Sequence, residues 1–388
     1  MGTATYGTVR RLDMTAIADA IRAKGGASGS LAPSEMASAI VSIPAGGIDT
    51  DALIDKTITT ASDGEVETIR SYAFYGCTSL SFASFPACTS IGSYAFTGCT
   101  SLEELYFSAF SGSITSTGFS TAKSTLRIVS FPACKTVGIS AFYGCTALSF
   151  ASFPACTSIG SYAFTGCTSL TVASFPACTS IGSTAFRECT SLSVAYFPAC
   201  TSIANAPIAS RGAFGSCTSL TVASFPVCTI IGSRAFYGCT SLSVASFPAC
   251  TSIGSTAFRG CTALSLVYFP VCSRISDNAF DGCTSLSVAS FPACTSIGSY
   301  AFSGCTALSL VYFPVCSRIS GNAFDGCTSL VSLFFRASDM SSIASTVFSN
   351  TNSTFRVCVP TSLVTYYQTL PGWSSIASQI EAFDDWED

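Results

Sequence analysis

The chain has 388 residues, a net charge of −4 and only 10% charged side chains, so its overall composition offers no basic stripe of the kind a nucleic-acid binder needs. Hydrophobic residues make up 48%, which excludes a disordered chain. Yet Ser, Thr, Gly and Pro break every apolar run well short of the roughly 18 residues of a membrane span.

The first residues carry Arg10 and Arg11 with no apolar stretch behind them, so the expectation is a chain without a secretory signal, made in a reducing cytoplasm. Residues 12–24 read as a short amphipathic helix: Leu12, Ala16, Ile17, Ala20 and Ile21 share a face, Asp13 or Thr15 can cap it, and Gly25-Gly26 stops it. A second helix is expected over 33–43, with Pro33 suited to the first turn and Met36 and Ile40 on it, before a flexible joint at 44–47. Through Leu12, Met14, Thr15, Ile17, Ala18, Ala20, Ile21, Arg22, Lys24, Pro33, Met36 and Ile40, this module resembles the N-terminal segment of structural proteins from phages and prophages of Gram-positive gut bacteria. The resemblance implies an attachment module. A helical cap on whatever follows is a compatible reading.

From Phe74 onward a 22-residue unit returns almost verbatim. The Phe of an Ala-Phe pair, or its equivalent, recurs at positions 74, 96, 119, 142, 164, 186, 214, 236, 258, 280, 302, 324 and 348. The steps are 22 except for 23 twice around Phe119, 28 before Phe214 and 24 before Phe348. A fixed period in this range marks a solenoid. Within the unit, Leu80, Ala83, Phe85 and Cys88 have the spacing L-x-x-L-x-L-x-x-N/C of a leucine-rich repeat, repeated by Leu170, Ala173, Phe175 and Cys178 and by Leu242, Ala245, Phe247 and Cys250. Ala83 and Phe85 alternate as the inward residues of a short strand. The Pro after each Phe (Pro86, Pro154, Pro270) ends it. Gly92 and Gly98 mark the bends of the return.

Phrases such as Ile91-Gly92-x-x-Ala95-Phe96-x-Gly98-Cys99 resemble the BspA-like, or Treponema-type, leucine-rich repeats, over about residues 66–355. That resemblance implies a surface or secreted protein concerned with adhesion and with no catalytic motif. The chain departs from the pattern in its second Cys, after Phe-Pro, where the family usually has an aliphatic residue.

All 22 cysteines lie on the repeat, stepping by 11 over long stretches. No Cys-x-x-Cys and no His occur, so zinc is not expected. Stacked coils would bring equivalent cysteines about 4.8 Å apart, within reach of a disulfide. Their parallel side chains and a reducing origin favour free buried thiols acting as small hydrophobes.

Two irregularities interrupt the repeat. The coil at 103–125 lacks its Gly-Cys and carries Glu103-Glu104. The coil ending at Phe214 holds six extra residues within 204–212, either a contact element on one rim or a neutral bulge. The repeat decays after Leu330, with a last strand expected over 355–360, helices over 362–367 and 373–383, and an acidic tail. A Val-Pro-x-Ser-Leu-Val ending that leads to Tyr and Trp is a frequent terminator of such repeats, and a solenoid needs a lid of this kind.

No reaction is legible. General-base chemistry has no His to use, Asp277, Asp281 and Asp325 are too sparse for a paired acid and base, and no nucleophile elbow or phosphate loop occurs. No cofactor, nucleic acid or membrane span is expected. A contact surface is: two residues after each Leu come Phe82, Phe150, Val172, Val194, Val222, Val244, Leu266, Val288 and Leu310, and four after come Tyr106, Tyr196, Tyr268 and Tyr312. If these face outward they form an apolar row beside a Ser/Tyr row; the plainer reading is that aliphatics simply favour strand.

The expected architecture is therefore mainly β, a solenoid of about 12 coils with one strand each, roughly 55–60 Å long. It divides into a helical module and linker at 1–47, the solenoid at 48–355, and a helical cap and tail at 356–388. The functional expectation is a non-enzymatic virion structural protein, a tail- or head-associated fibre assembled in the host cytoplasm. It would attach through Leu12, Ile17, Ile21, Met36 and Ile40 to other virion proteins. Its solenoid would meet a host surface protein or glycan or a neighbouring copy in a homo-oligomer. The alternative is a bacterial cell-surface adhesin.

Overall fold

In the computed structural model the described residues are 55–115, 122–207 and 210–384. The expected front helices, with Leu12, Ile17, Ile21, Met36 and Ile40, lie outside them, as do Phe119, part of the insertion and residues 385–388.

The repeat folds because one coil cannot bury its own apolar edge while a neighbour on each side can. Each coil lays its Leu-to-Phe segment as a three-residue strand, parallel and in register with the next. Phe82–Ser84 pairs with Glu104–Tyr106, and Val172 aligns with Val194, Val222 and Val244 in turn. The ladder runs on beyond the recognisable repeat, from Thr60–Ser62 at the start to Arg356–Val359 and Ile380–Ala382 at the end. The solenoid therefore has about 14 turns between its 15 long strands instead of about 12. Backbone pairing needs no consensus side chain, which is why the sequence pattern undercounts it.

The expectation of one strand per coil is corrected to two. Proline ends the first strand, the chain turns, and a Ser-Ile pair such as Ser180–Ile181 forms a second. Its Ile points into the core and its Ser outward. Ten of these short strands form one unbroken parallel ladder from Ser113–Ile114 to Arg318–Ile319. The long strands divide into three sections of five, four and six. The six extra residues before Phe214 leave both ladders in register, since Ala195 still faces Ala223 and Ile203 still faces Ile231.

The core is two columns of stacked phenylalanine. Rings of the Ala-Phe column lie face to face, as in Phe214 on Phe236 (5.2 Å, 3°) and Phe236 on Phe258 (5.3 Å, 4°). Rings of the Phe-Pro column do the same, as in Phe225 on Phe247 (5.1 Å, 5°), and the two columns meet edge to face, as in Phe236 against Phe247 (5.7 Å, 70°). Edge-to-face contact suits the aromatic quadrupole, as does parallel stacking when the rings are offset.

The return bend is held by hydrogen bonds between coils: Phe236 N–H donates to the Ala257 carbonyl at 2.8 Å and Gly238 N–H to that of Arg259 at 2.8 Å. Most bends hold two left-handed residues. One is usually the Gly of Gly-Cys (Gly166, φ 74°), but coil 186 places Glu188 there (φ 60°). The other is not Gly at all and includes the β-branched Thr184 (φ 57°) and Thr256 (φ 56°), conformations that such residues rarely adopt.

At the far end the helix expected over 373–383 stops at Gln379, and Ile380–Ala382 returns as a strand because its backbone completes the ladder against Arg356–Val359. Short helices at Thr361–Leu363 and Val364–Thr369 precede it. Tyr367 and Trp373, both fully buried, pack edge to face at 5.2 Å. Tyr367 donates its hydroxyl to the Ala337 carbonyl at 2.8 Å, and the indole N–H of Trp373 donates to Ser341 at 3.1 Å.

Two outcomes follow for stability. Glu188→Gly should raise stability by about 1 kcal/mol, since it removes a Cβ from a left-handed position, with thermal melting as the check. Trp373→Ala should lower it by about 3–5 kcal/mol, and an unchanged melt would show that these aromatics do not seal the last coil.

Candidate functional site

The strand-face residues do form two rows, because the register puts them there. Phe82 and Phe150 belong to the first section, Val172, Val194, Val222 and Val244 to the second, and Leu266, Val288 and Leu310 to the third. The rows are far less open than expected. Val194 (3%) and Val222 (2%) are buried, each covered by the valines of the coils on either side, whereas Val172 (38%) stands at the unpaired edge of its section. Tyr106 (8%) is covered by Phe82 at 5.6 Å and donates its hydroxyl to Glu104 at 2.9 Å. Phe82, Phe150, Tyr196, Val244, Leu266, Tyr268, Val288, Leu310 and Tyr312 are half-buried. A long exposed apolar patch is thus not what this face presents.

The cysteines are all free and buried, and they do more than fill space. In one column most thiols donate to the Phe carbonyl of the coil before, as Cys239 to Phe214 at 3.0 Å and Cys261 to Phe236 at 3.2 Å. In the other, each donates two residues ahead, as Cys178 to Ser180 at 3.2 Å and Cys250 to Ser252 at 3.3 Å. A valine at the second position would fill the volume but lose the thiol hydrogen bond. Burial pushes the thiols of Cys294 and Cys316 up to about 12, which keeps them protonated and inert.

Chemistry is no better served elsewhere among the described residues. No three Cys, Asp or Glu side chains converge to hold a metal ion. A shallow hollow beside the last coil, lined by Phe348, Asn350, Thr351, Phe355 and Gln379 among others, contains no ionisable side chain. Among the described residues no helix is long and apolar enough to cross a membrane.

The bends show what reasoning from the strand pattern missed. Around them the repeat is nearly verbatim, yet two positions change from coil to coil. The residue two before the Phe is Tyr94, Tyr162, Thr184, Arg234, Thr256, Asn278, Tyr300 or Asn322. The residue after it is Thr97, Tyr143, Arg187, Tyr237, Arg259, Asp281 or Asp325. Comparing the repeats with one another would have found these columns. They hold much of the chain's exposed Tyr and charge: Tyr94 is 41% and Tyr143 47% exposed, although Thr184 is buried. They are also organised. Tyr72 stacks on Tyr94 at 5.3 Å, Lys123 lies over Tyr143 at 5.3 Å, and Arg259 pairs with Asp281 at 2.9 Å.

A family model described as the BspA type leucine rich repeat region matches in overlapping stretches, residues 67–193, 135–265, 207–330 and 273–370. The chain belongs to the BspA-type leucine-rich repeat family. The match begins at residue 67, so the segment that resembles phage proteins stands outside it. Among solved structures, similar ones include a leucine-rich repeat protein of Bacteroides ovatus (22% identity, 82% of this chain and 88% of that one, TM-score 0.40). A leucine rich cell surface protein of Faecalibacterium prausnitzii is similar at 21% identity (81% and 91%, TM-score 0.37). The T. pallidum leucine rich repeat protein is so at 23% (53% and 78%, TM-score 0.32). At these scores no detail carries over from them. No curated protein matches the chain.

Buried thiols give this BspA-type solenoid an alkaline limit. The folded chain keeps protons that the unfolded chain releases above the ordinary thiol value of 9.0. Stability is therefore full below that pH and should fall as pH climbs towards about 12. Near about pH 8 a thiol reagent should label few of the 22 cysteines until denaturant is added. Rapid labelling of the native protein would contradict this burial.

Proposed function

We propose that the protein is a non-enzymatic recognition protein of the bacterial cell surface, an adhesin in the sense its BspA-type repeats imply, and that it makes contact through the diversified bends of the solenoid. The observation that carries this is the contrast between an invariant buried frame and two variable surface columns rich in Tyr, Arg, Asp and Asn. Tyr at exposed, rigidly held positions such as Tyr94, Tyr143 and Tyr300 is the chemistry of recognition surfaces, while nothing comparable converges into a reactive pocket among the described residues. The half-buried Tyr196, Tyr268 and Tyr312, with the open Val172, offer a smaller secondary contact on the strand face. In this reading residues 48–355 are the recognition body and 356–388 its closure.

A second reading is favoured by one feature. The resemblance at residues 12–40 supports a virion structural protein, attached through that module to other virion proteins and assembled as a homo-oligomer. The two differ in where the protein is found. Surface-exposed protein should be removed by protease added to intact cells of the native host; recovery in purified virus particles instead would replace the adhesin reading with the virion one. In either setting, changing Tyr162, Tyr237, Arg259 and Tyr300 together to Ser should lower adhesion at least tenfold, read by binding of the labelled protein to its target surface. Full adhesion with an unchanged melt would remove the bends as the contact surface.

A further inference from the structure

The net charge of −4 hides an uneven distribution. Between residues 123 and 274 there are eight basic side chains and a single carboxylate, Glu188. Four of the eight, Arg187, Arg211, Arg234 and Arg259, fall on the bends of four consecutive coils, whose stacked rings are 5.2–5.3 Å apart. We propose that this stretch of the bend face binds an acidic polysaccharide lying along the solenoid axis.

The cluster is built, and the insertion builds it. Arg211 comes from the inserted segment and lays its guanidinium 5.4 Å over the ring of Tyr237 while donating to the Ser216 hydroxyl. Arg234 donates to the carbonyl of Pro207, another inserted residue, at 3.1 Å. Asn205 ties the insertion to the next coil by accepting the Ser233 N–H at 2.8 Å. At the flanks Arg187 is paired with Glu188 at 2.6 Å and Arg259 with Asp281 at 2.9 Å, both on half-open surface. Arg211 and Arg234 therefore carry the uncompensated charge, held in place before any ligand arrives, which lowers the entropy lost on binding.

The neighbouring hydroxyls select the kind of polyanion. Three residues beyond Tyr237, the Thr240 hydroxyl donates to the Thr218 carbonyl at 3.4 Å, and one coil on Thr262 donates to Thr240 at 3.2 Å. With their hydrogens used, these exposed oxygens face solvent as acceptors. A uronate or sulfated glycan supplies both complements, carboxylates or sulfates for arginine and many hydroxyl donors for threonine. A nucleic-acid backbone presents mainly phosphate acceptors, and the face of Tyr237 that a base would stack on is already covered by Arg211.

The assignment rests on the bends being the contact surface, and the test separates the two. The full chain is titrated with polygalacturonate, heparin, neutral dextran and single-stranded DNA of matched length. Polygalacturonate or heparin should bind, more weakly as salt rises. Arg211→Gln with Arg234→Gln should weaken that binding at least tenfold. Asp281→Asn, which releases Arg259, should tighten it, while Arg274→Gln with Arg318→Gln on the short-strand row should leave it unchanged. If the first double variant loses its native melt, Arg234→Gln alone should still weaken the binding, and more than Arg187→Gln, whose charge is already paired, does. No binding of either acidic glycan, equal binding of DNA, or an equal loss in the Arg274 and Arg318 variant would overturn the proposal. Dextran binding that Tyr237→Ala abolishes would overturn the ligand class and keep the surface.

Discussion

Everything in this molecule depends on phenylalanine rings lying flat on the rings of the next coil. A face-to-face repeat of about 5.2 Å is close to the spacing between hydrogen-bonded strands, so one coil step satisfies side-chain stacking and backbone pairing together. That match forces register. A coil one residue longer or shorter within its core segments would set an aromatic ring against a small residue and strand several backbone groups. Extra length is admissible only where it spares the stack, and across the insertion Phe186 and Phe214 remain 5.2 Å apart and 2° from parallel.

The same constraint explains the cysteines. Two positions per coil sit between stacked aromatic columns and must be small. They also lie beside backbone carbonyls that take a second hydrogen bond, as that of Phe236 accepts both the Cys239 N–H at 3.2 Å and the Cys261 thiol at 3.2 Å. A thiol answers both needs, being close to apolar in size and burial yet able to donate weakly. Serine would make a stronger donor but carries a larger desolvation penalty, and alanine would leave that second hydrogen bond unmade. Buried to this degree, thiols serve the frame and have no part in reactivity.

Much of this was legible in the residues. The 22-residue period, the inward Leu80, Ala83, Phe85 and Cys88 and the proline stop at Pro86 follow from alternation and turn chemistry alone. The second strand was not legible, because two residues such as Ser180 and Ile181 carry no periodicity. The extra turns at either end were missed because hydrogen bonding, unlike side-chain pattern, leaves no mark in composition. The contact surface was sought on the strand face, where Val194 and Val222 look outward by alternation but are covered by valines one coil away, a burial that only the stacked structure reveals. The signal at the bends was present all along, in how Tyr162, Thr184, Arg234 and Asn278 replace one another within an otherwise constant phrase.

A frame in which each coil is sealed only by its neighbours makes a particular demand on how damage spreads. Hydrogen exchange measured on the Phe236→Ala chain tests it most directly. The account predicts that protection is lost in the coils stacked on that ring, those of Phe214 and Phe258, and recovers progressively with distance along the axis. Uniform loss of protection over the whole chain, or loss confined to distant coils, would contradict a stacked solenoid and require a different architecture.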